Sequence, residues 1–64
     1  MAVYADELKV GDFVEMDGSV IHLAKVNVNE EIGLVFAFGM DLLRDRVTIL
    51  PPFDLANYVE IWNA

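Results

Sequence analysis

The chain has 64 residues, is 56% apolar by residue type, and carries eleven acidic against four basic residues for a formal charge of −7. That balance argues against nucleic acid as a direct ligand, because phosphate binding needs lysine and arginine to replace counterions. The absence of cysteine excludes disulfides and thiolate zinc sites and fits a reducing, cytoplasmic setting. No window reaches the roughly 18 apolar residues of a membrane span, so no membrane partner is expected.

Residues 1–11 read as a short lead-in without the basic and long apolar segments of a secretory signal. Gly11-Asp12 then turns the chain into a first strand, Asp12-Phe13-Val14-Glu15-Met16, with Val14 and Met16 opposite Phe13 and Glu15. Asp17-Gly18 is a hairpin signal, since Gly18 tolerates the positive φ of a primed turn. A long strand follows over Val20–Val28. Its apolar side changes near the middle, as a bulge or strong bend would allow.

Asn29-Glu30-Glu31 forms the next turn. Ile32 to Phe38 is a central strand, apolar on both faces: Ile32, Leu34, Phe36 and Phe38 on one, Val35 and Ala37 on the other. Gly39-Met40-Asp41 breaks that strand, and Arg46–Leu50 is the fourth. Pro51-Pro52 ends it, because neither proline can donate to a ladder. Phe53–Asn57 suits a compact turn or 3₁₀ segment. Tyr58–Trp62 closes the chain as a strand, with Val59 and Ile61 inward and Tyr58, Glu60 and Trp62 outward. The expected fold is all-β: one domain over residues 1–64, a strongly bent five-stranded antiparallel barrel.

Two stretches carry a resemblance. Leu8-Lys9-Val10-Gly11-Asp12-Phe13-Val14 resembles the Leu-x-x-Gly-Asp-x-Val opening of small SH3-like barrels, and Pro51-Pro52 through Asn57-Tyr58-Val59-Glu60 is similar to the Pro-then-Asn-Tyr-Val ending of SH3 domains. Together they cover about a third of the chain. SH3 domains grip proline-rich peptides with aromatics on long loops and a central Trp. Here the long first loop is missing and the only Trp is Trp62, while Tyr58, with Tyr4 as a second, matches the peptide groove. The closer likeness is to short barrel proteins of bacteria and their phages, which implies a phage-type module that modulates a host protein.

No catalytic, cofactor or metal motif stands out. His22 is the only histidine, Ser19 the only serine and Thr48 the only threonine, and Ser19 falls in a turn where its hydroxyl serves the backbone. Asp12, Glu15 and Asp17 do not converge on a cation when spaced along a strand. A non-enzymatic role is therefore expected, with no cofactor.

So small a domain buries only about 60% of the surface its unfolded chain exposes. The apolar surplus must lie outside and favour a protein partner or a homo-oligomer. The expected partner-binding residues are Tyr58, Glu60 and Trp62, with Val35 and Ala37 as the second half of the patch. Burying about 250 Å² there is worth on the order of 6 kcal/mol before association costs. The alternative reading is an acidic mimic of nucleic acid that occupies a basic groove on a DNA- or RNA-binding protein, motivated by the net charge.

Overall fold

A computed structural model describes residues 1–62. Seven strands form one antiparallel sheet: β1 (Ala2–Tyr4), β2 (Phe13–Met16), β3 (Ser19–Asn29), β4 (Leu34–Asp41), β5 (Arg46–Ile49), β6 (Phe53–Asp54) and β7 (Tyr58–Trp62). The neighbour order is β1-β7-β2-β3-β4-β5, and β6 pairs with β4. The protein is all-β with almost no helix, and the sheet is not closed into a barrel.

Two strands exceed the expected five. The lead-in is not a bystander: Val3 pairs with Val59, and Ala5 and Leu8 lie in the core. Among the described residues the one 3₁₀ segment falls here, at Ala5–Glu7, where the Glu7 carboxylate accepts from the Tyr4 N–H at 2.9 Å. Phe53-Asp54 pairs with Leu34 and Val35 before a short turn leads into β7.

The Asp17-Gly18 turn has both residues at positive φ, 50° and 76°, between the paired Met16 and Ser19. That is the primed two-residue hairpin, whose twist matches its flanking strands. In β3, Leu23 pairs with Gly39 and Lys25 with Phe38, leaving Ala24 as an extra residue. This bulge inverts the alternation, so Ile21 and Leu23 before it and Val26 and Val28 after it share the core side of the sheet. Gly39 does not break β4, which runs on to Asp41. A Cβ at Gly39 would stand 2.1 Å from the His22 carbonyl oxygen and 2.8 Å from Leu23 Cα. Glycine is there because two backbones meet beside the bulge.

The core is Ala5, Leu8, Val14, Ile21, Leu23, Val35, Ala37, Leu50 and Val59, flanked by half-buried Val3, Met16, Val26, Phe53, Leu55 and Ile61. Val35 and Ala37, expected on an exposed patch, are 0% and 4% exposed. The concave side of a tightly bent sheet has room for small side chains. Val35, Ala37 and Gly39 therefore turn inward, and β4's larger residues turn out.

Asp41 ends β4 on the buried side. Its carboxylate accepts from the Leu43 and Arg44 N–H groups at 3.0 and 3.1 Å and from the Arg44 guanidinium at 3.1 Å, while that guanidinium also donates to the Ser19 hydroxyl. Burial pushes the Asp41 carboxyl up. The bonds from Arg44, Leu43 and Ser19 outweigh it and hold the group below its ordinary range. Because the folded-state value lies below the unfolded one, this stabilisation is complete above the unfolded carboxylate range and is lost as pH falls through the folded value. Asp41→Asn should therefore lower stability at neutral pH and flatten the acid limb below roughly pH 4. Thermal midpoints measured down the acid side check this, and an unchanged acid limb in the variant would refute it.

Candidate interaction surface

The outward side of the sheet is built strand by strand from the same registers. Trp62 of β7 pairs with Phe13 of β2, Phe13 with His22 of β3, His22 with Met40 of β4, and Met40 with Val47 of β5. Strand alternation puts all five on the face opposite the core. The adjoining row runs from Lys25 through Phe38 to Ile49, and beyond it Asn27 lies opposite Phe36. Five strands thus carry a continuous, mostly apolar face.

Exposure along this face is high: Trp62 is 56% exposed, Val47 64% and Ile49 80%. Phe36, Phe38 and Met40 are also exposed. Leu42 and Leu43, on the turn between β4 and β5, extend it; with Phe13, Val20 and Trp62 they line a hollow of about 360 Å³. A second hollow of about 280 Å³ lies between Phe36, Phe38, Ile49 and Lys25.

Local contacts fix these side chains. The His22 imidazole lies flat on the Phe13 ring, centroids 4.4 Å apart and planes 7° from parallel. The Trp62 indole N–H donates to the Glu15 carboxylate at 2.8 Å. That bond satisfies the indole's one polar group and leaves its apolar body outward. His22 is on the opposite side of the sheet from Ser19 and Thr48, which share the core-side alternation. Among the described residues, no three His, Asp or Glu side chains group to hold a metal ion. Asp12 instead accepts from the Lys9 N–H at 3.0 Å, and Asp17 sits in the hairpin turn.

Of the expected partner-binding residues, Tyr58, Glu60 and Trp62 are exposed on one side of β7. They do not form one patch. Trp62 joins the apolar face. Glu60 accepts from the Met1 ammonium at 2.7 Å. Tyr58, four residues back and so about 13 Å away along an extended strand, stacks on Tyr4 at 4.6 Å, and the two hydroxyls share a 3.0 Å hydrogen bond. That bond, partial burial and the charges of Glu7 and Asp6 push the Tyr4 phenol above its usual range. Beside Tyr4 is a hollow of about 260 Å³, lined also by Asp6, Leu55 and Ala56.

Compared with known proteins, the chain matches no family model, no curated protein and no solved structure. No helix among the described residues is long and apolar enough to cross a membrane.

Phe36, Phe38, Met40, Val47 and Ile49 are what the sequence reading missed on this face. The available signal was Lys25 and Asn27. These two polar residues must face solvent, and whichever side chains register beside them on β4 go out with them. Reading it required the β3–β4 register, which a four-residue turn does not fix from sequence.

Proposed function

We propose that this chain is a non-enzymatic protein-interaction module, an open SH3-like barrel whose working surface is the outer apolar face of its sheet. The observation that carries the reading is the in-register row Trp62, Phe13, His22, Met40 and Val47, crossing five strands. Monomeric soluble proteins rarely leave an apolar patch beyond about 300–600 Å² uncovered. The barrel assignment is supported by the antiparallel order, the bulge that bends β3 and the pairing of β7 with both β1 and β2. The non-enzymatic reading is supported by the placement of His22 on Phe13, away from either hydroxyl side chain.

Binding of a neutral apolar dye such as Nile red tests the surface. The folded protein should brighten the dye, and lysine at exposed positions of the face (Ile49→Lys, Val47→Lys) should remove most of that signal at unchanged thermal midpoint. Dye binding that ignores both substitutions would overturn the reading.

A second reading rests on the Tyr4–Tyr58 stack, which brings together the two tyrosines that the SH3 resemblance places in a peptide groove. Under it, a proline-rich peptide lies across the pair, next to the hollow lined by Leu55 and Ala56. Titration with such a peptide should shift the Tyr4 and Tyr58 ring resonances in a saturable way, and unmoved rings would eliminate it.

A further inference from the structure

We propose that the occupant of the outer apolar face is a second copy of this chain, packed sheet on sheet about a two-fold axis. This rests on the reading of that face as the working surface and adds what covers it. Three observations converge.

The first is area. Eight large apolar side chains of the face are 37–80% exposed. At about 150–250 Å² for a large side chain, they present on the order of 800 Å². A standard stable interface takes about 800 Å² from each partner. One copy therefore exposes as much surface as a like copy would need to cover.

The second is shape. An isologous interface must be complementary to itself, so knobs and hollows have to occur on the same surface. Ile49 at 80% exposure, Leu43 at 69% and Val47 at 64% stand out from this face. The two hollows, about 360 and 280 Å³, open on it and are large enough to take an aliphatic side chain each. Both are lined mainly by apolar residues. Two twisted sheets pack in this way about 10 Å apart, aligned or near-orthogonal.

The third is charge. The chain carries −7, yet the middle of the face holds one carboxylate, Glu15, already bonded to the Trp62 indole, and one ammonium, Lys25. At its margins Glu60, on the same side of β7, is paired with the Met1 ammonium, and Asp54 registers with Leu34 one row beyond Phe36. The acidic turns lie at the ends of the sheet: Asp17 and Asp45 beside the β2–β3 and β4–β5 connections, Glu30 and Glu31 at the other. The middle of the contact area is thus free of uncompensated like charge, and the repulsion between two acidic protomers acts from its margins and at longer range. Salt screens such repulsion within about 8 Å at physiological ionic strength. Self-association should consequently tighten as salt is raised, whereas a complex with a basic partner would weaken.

Light scattering and sedimentation on the whole chain test this. The wild type should sediment as a dimer at high micromolar concentration, more completely at high salt than at low. Met40→Lys, between His22 and Val47 in the row, should raise the dissociation constant at least about tenfold. Ile49→Lys, at the most exposed position, should do the same and keeps the test decisive if Met40→Lys fails to fold. A wild type that stays monomeric at high micromolar concentration, a dimer untouched by a folded Ile49→Lys variant, or a dimer that dissociates with salt would each overturn the proposal. A monomeric protein that still binds Nile red through this face would overturn the dimer while leaving the interaction surface standing with a different occupant. A monomer that binds neither removes both.

Discussion

Gly39→Ala should cost about 3 kcal/mol or more, the upper end of what overpacking does, and so unfold much of a domain this small at ambient temperature. The added methyl would meet the His22 carbonyl oxygen and carbon and Leu23 Cα at 2.1–2.8 Å, all of them backbone. No rotamer change can relieve a clash with main chain. β3 and β4 would have to separate where the bulge brings them together, which breaks the longest pairing in the sheet. Gly33 is the internal control. It has φ +72°, but a methyl added there would have no neighbour within 4 Å, so Gly33→Ala should cost only about 1–2 kcal/mol through backbone conformation. Chemical denaturation of both variants decides the matter. Gly39→Ala behaving like Gly33→Ala would mean that the two backbones do not meet as described.

Truncating Leu23 and Ile49 should give opposite results although both are large aliphatic residues on neighbouring parts of one sheet. Leu23 is 1% exposed, between Val14, Ile21 and the inward side of β4. Leu23→Ala removes its transfer free energy and leaves a cavity that a bent backbone cannot collapse around, an effect of about 2–5 kcal/mol. Ile49 is 80% exposed, and Ile49→Ala should change the stability of the monomer by no more than about 0.5 kcal/mol. Urea titration at low concentration, where association does not contribute, separates the two. Equal losses would mean that the sheet's inner and outer faces are misassigned.

That assignment is also where sequence reasoning reached its limit. The first hairpin was legible because Asp17-Gly18 supports only a few turn geometries, and Val14 and Met16 alternate with Phe13 and Glu15. The change of side within β3 was legible too, since a bulge or a strong bend is needed to reconcile Ile21 and Leu23 with Val26 and Val28, and the register shows the bulge. The outward placement of Tyr58, Glu60 and Trp62 followed from Val59 and Ile61 between them. β4 was different. Apolar residues at both parities leave its orientation open, and hydrophobicity alone favours putting Phe36 and Phe38 inside. What decides the outcome is space: the inner side meets the β3 backbone at Gly39, so Val35 and Ala37 fit there and phenylalanine does not. The glycine read as a strand end is the residue that lets the strand continue. β1 and β6, three and two residues long, lack enough alternation to be seen, and they form because β7 and β4 offer them unpaired edges.

The surplus of apolar residues over interior room is met in a particular way. Nine apolar residues are buried among the described residues, while fourteen large ones are exposed. The exposed set is concentrated rather than scattered, because the bulge and the bend send small residues inward and large ones outward on the same strands. Lys25 and Glu15 add equal and opposite charge to the middle of that face, Glu60 and Asp54 lie at its margins, and most other acidic residues are kept to turns and ends. The same packing constraint thus shapes the core and leaves a broad, nearly neutral face on an acidic protein.

Methyl spectra recorded over a dilution series, from high micromolar to low micromolar protein, test most directly whether this face is the one that becomes covered. The methyls of Met40, Val47, Ile49 and Leu43 should move together with concentration, while those of Val14, Leu23 and Val35 stay fixed. Spectra that superimpose at every concentration, or shifts centred on the Tyr4–Tyr58 side instead, would contradict it.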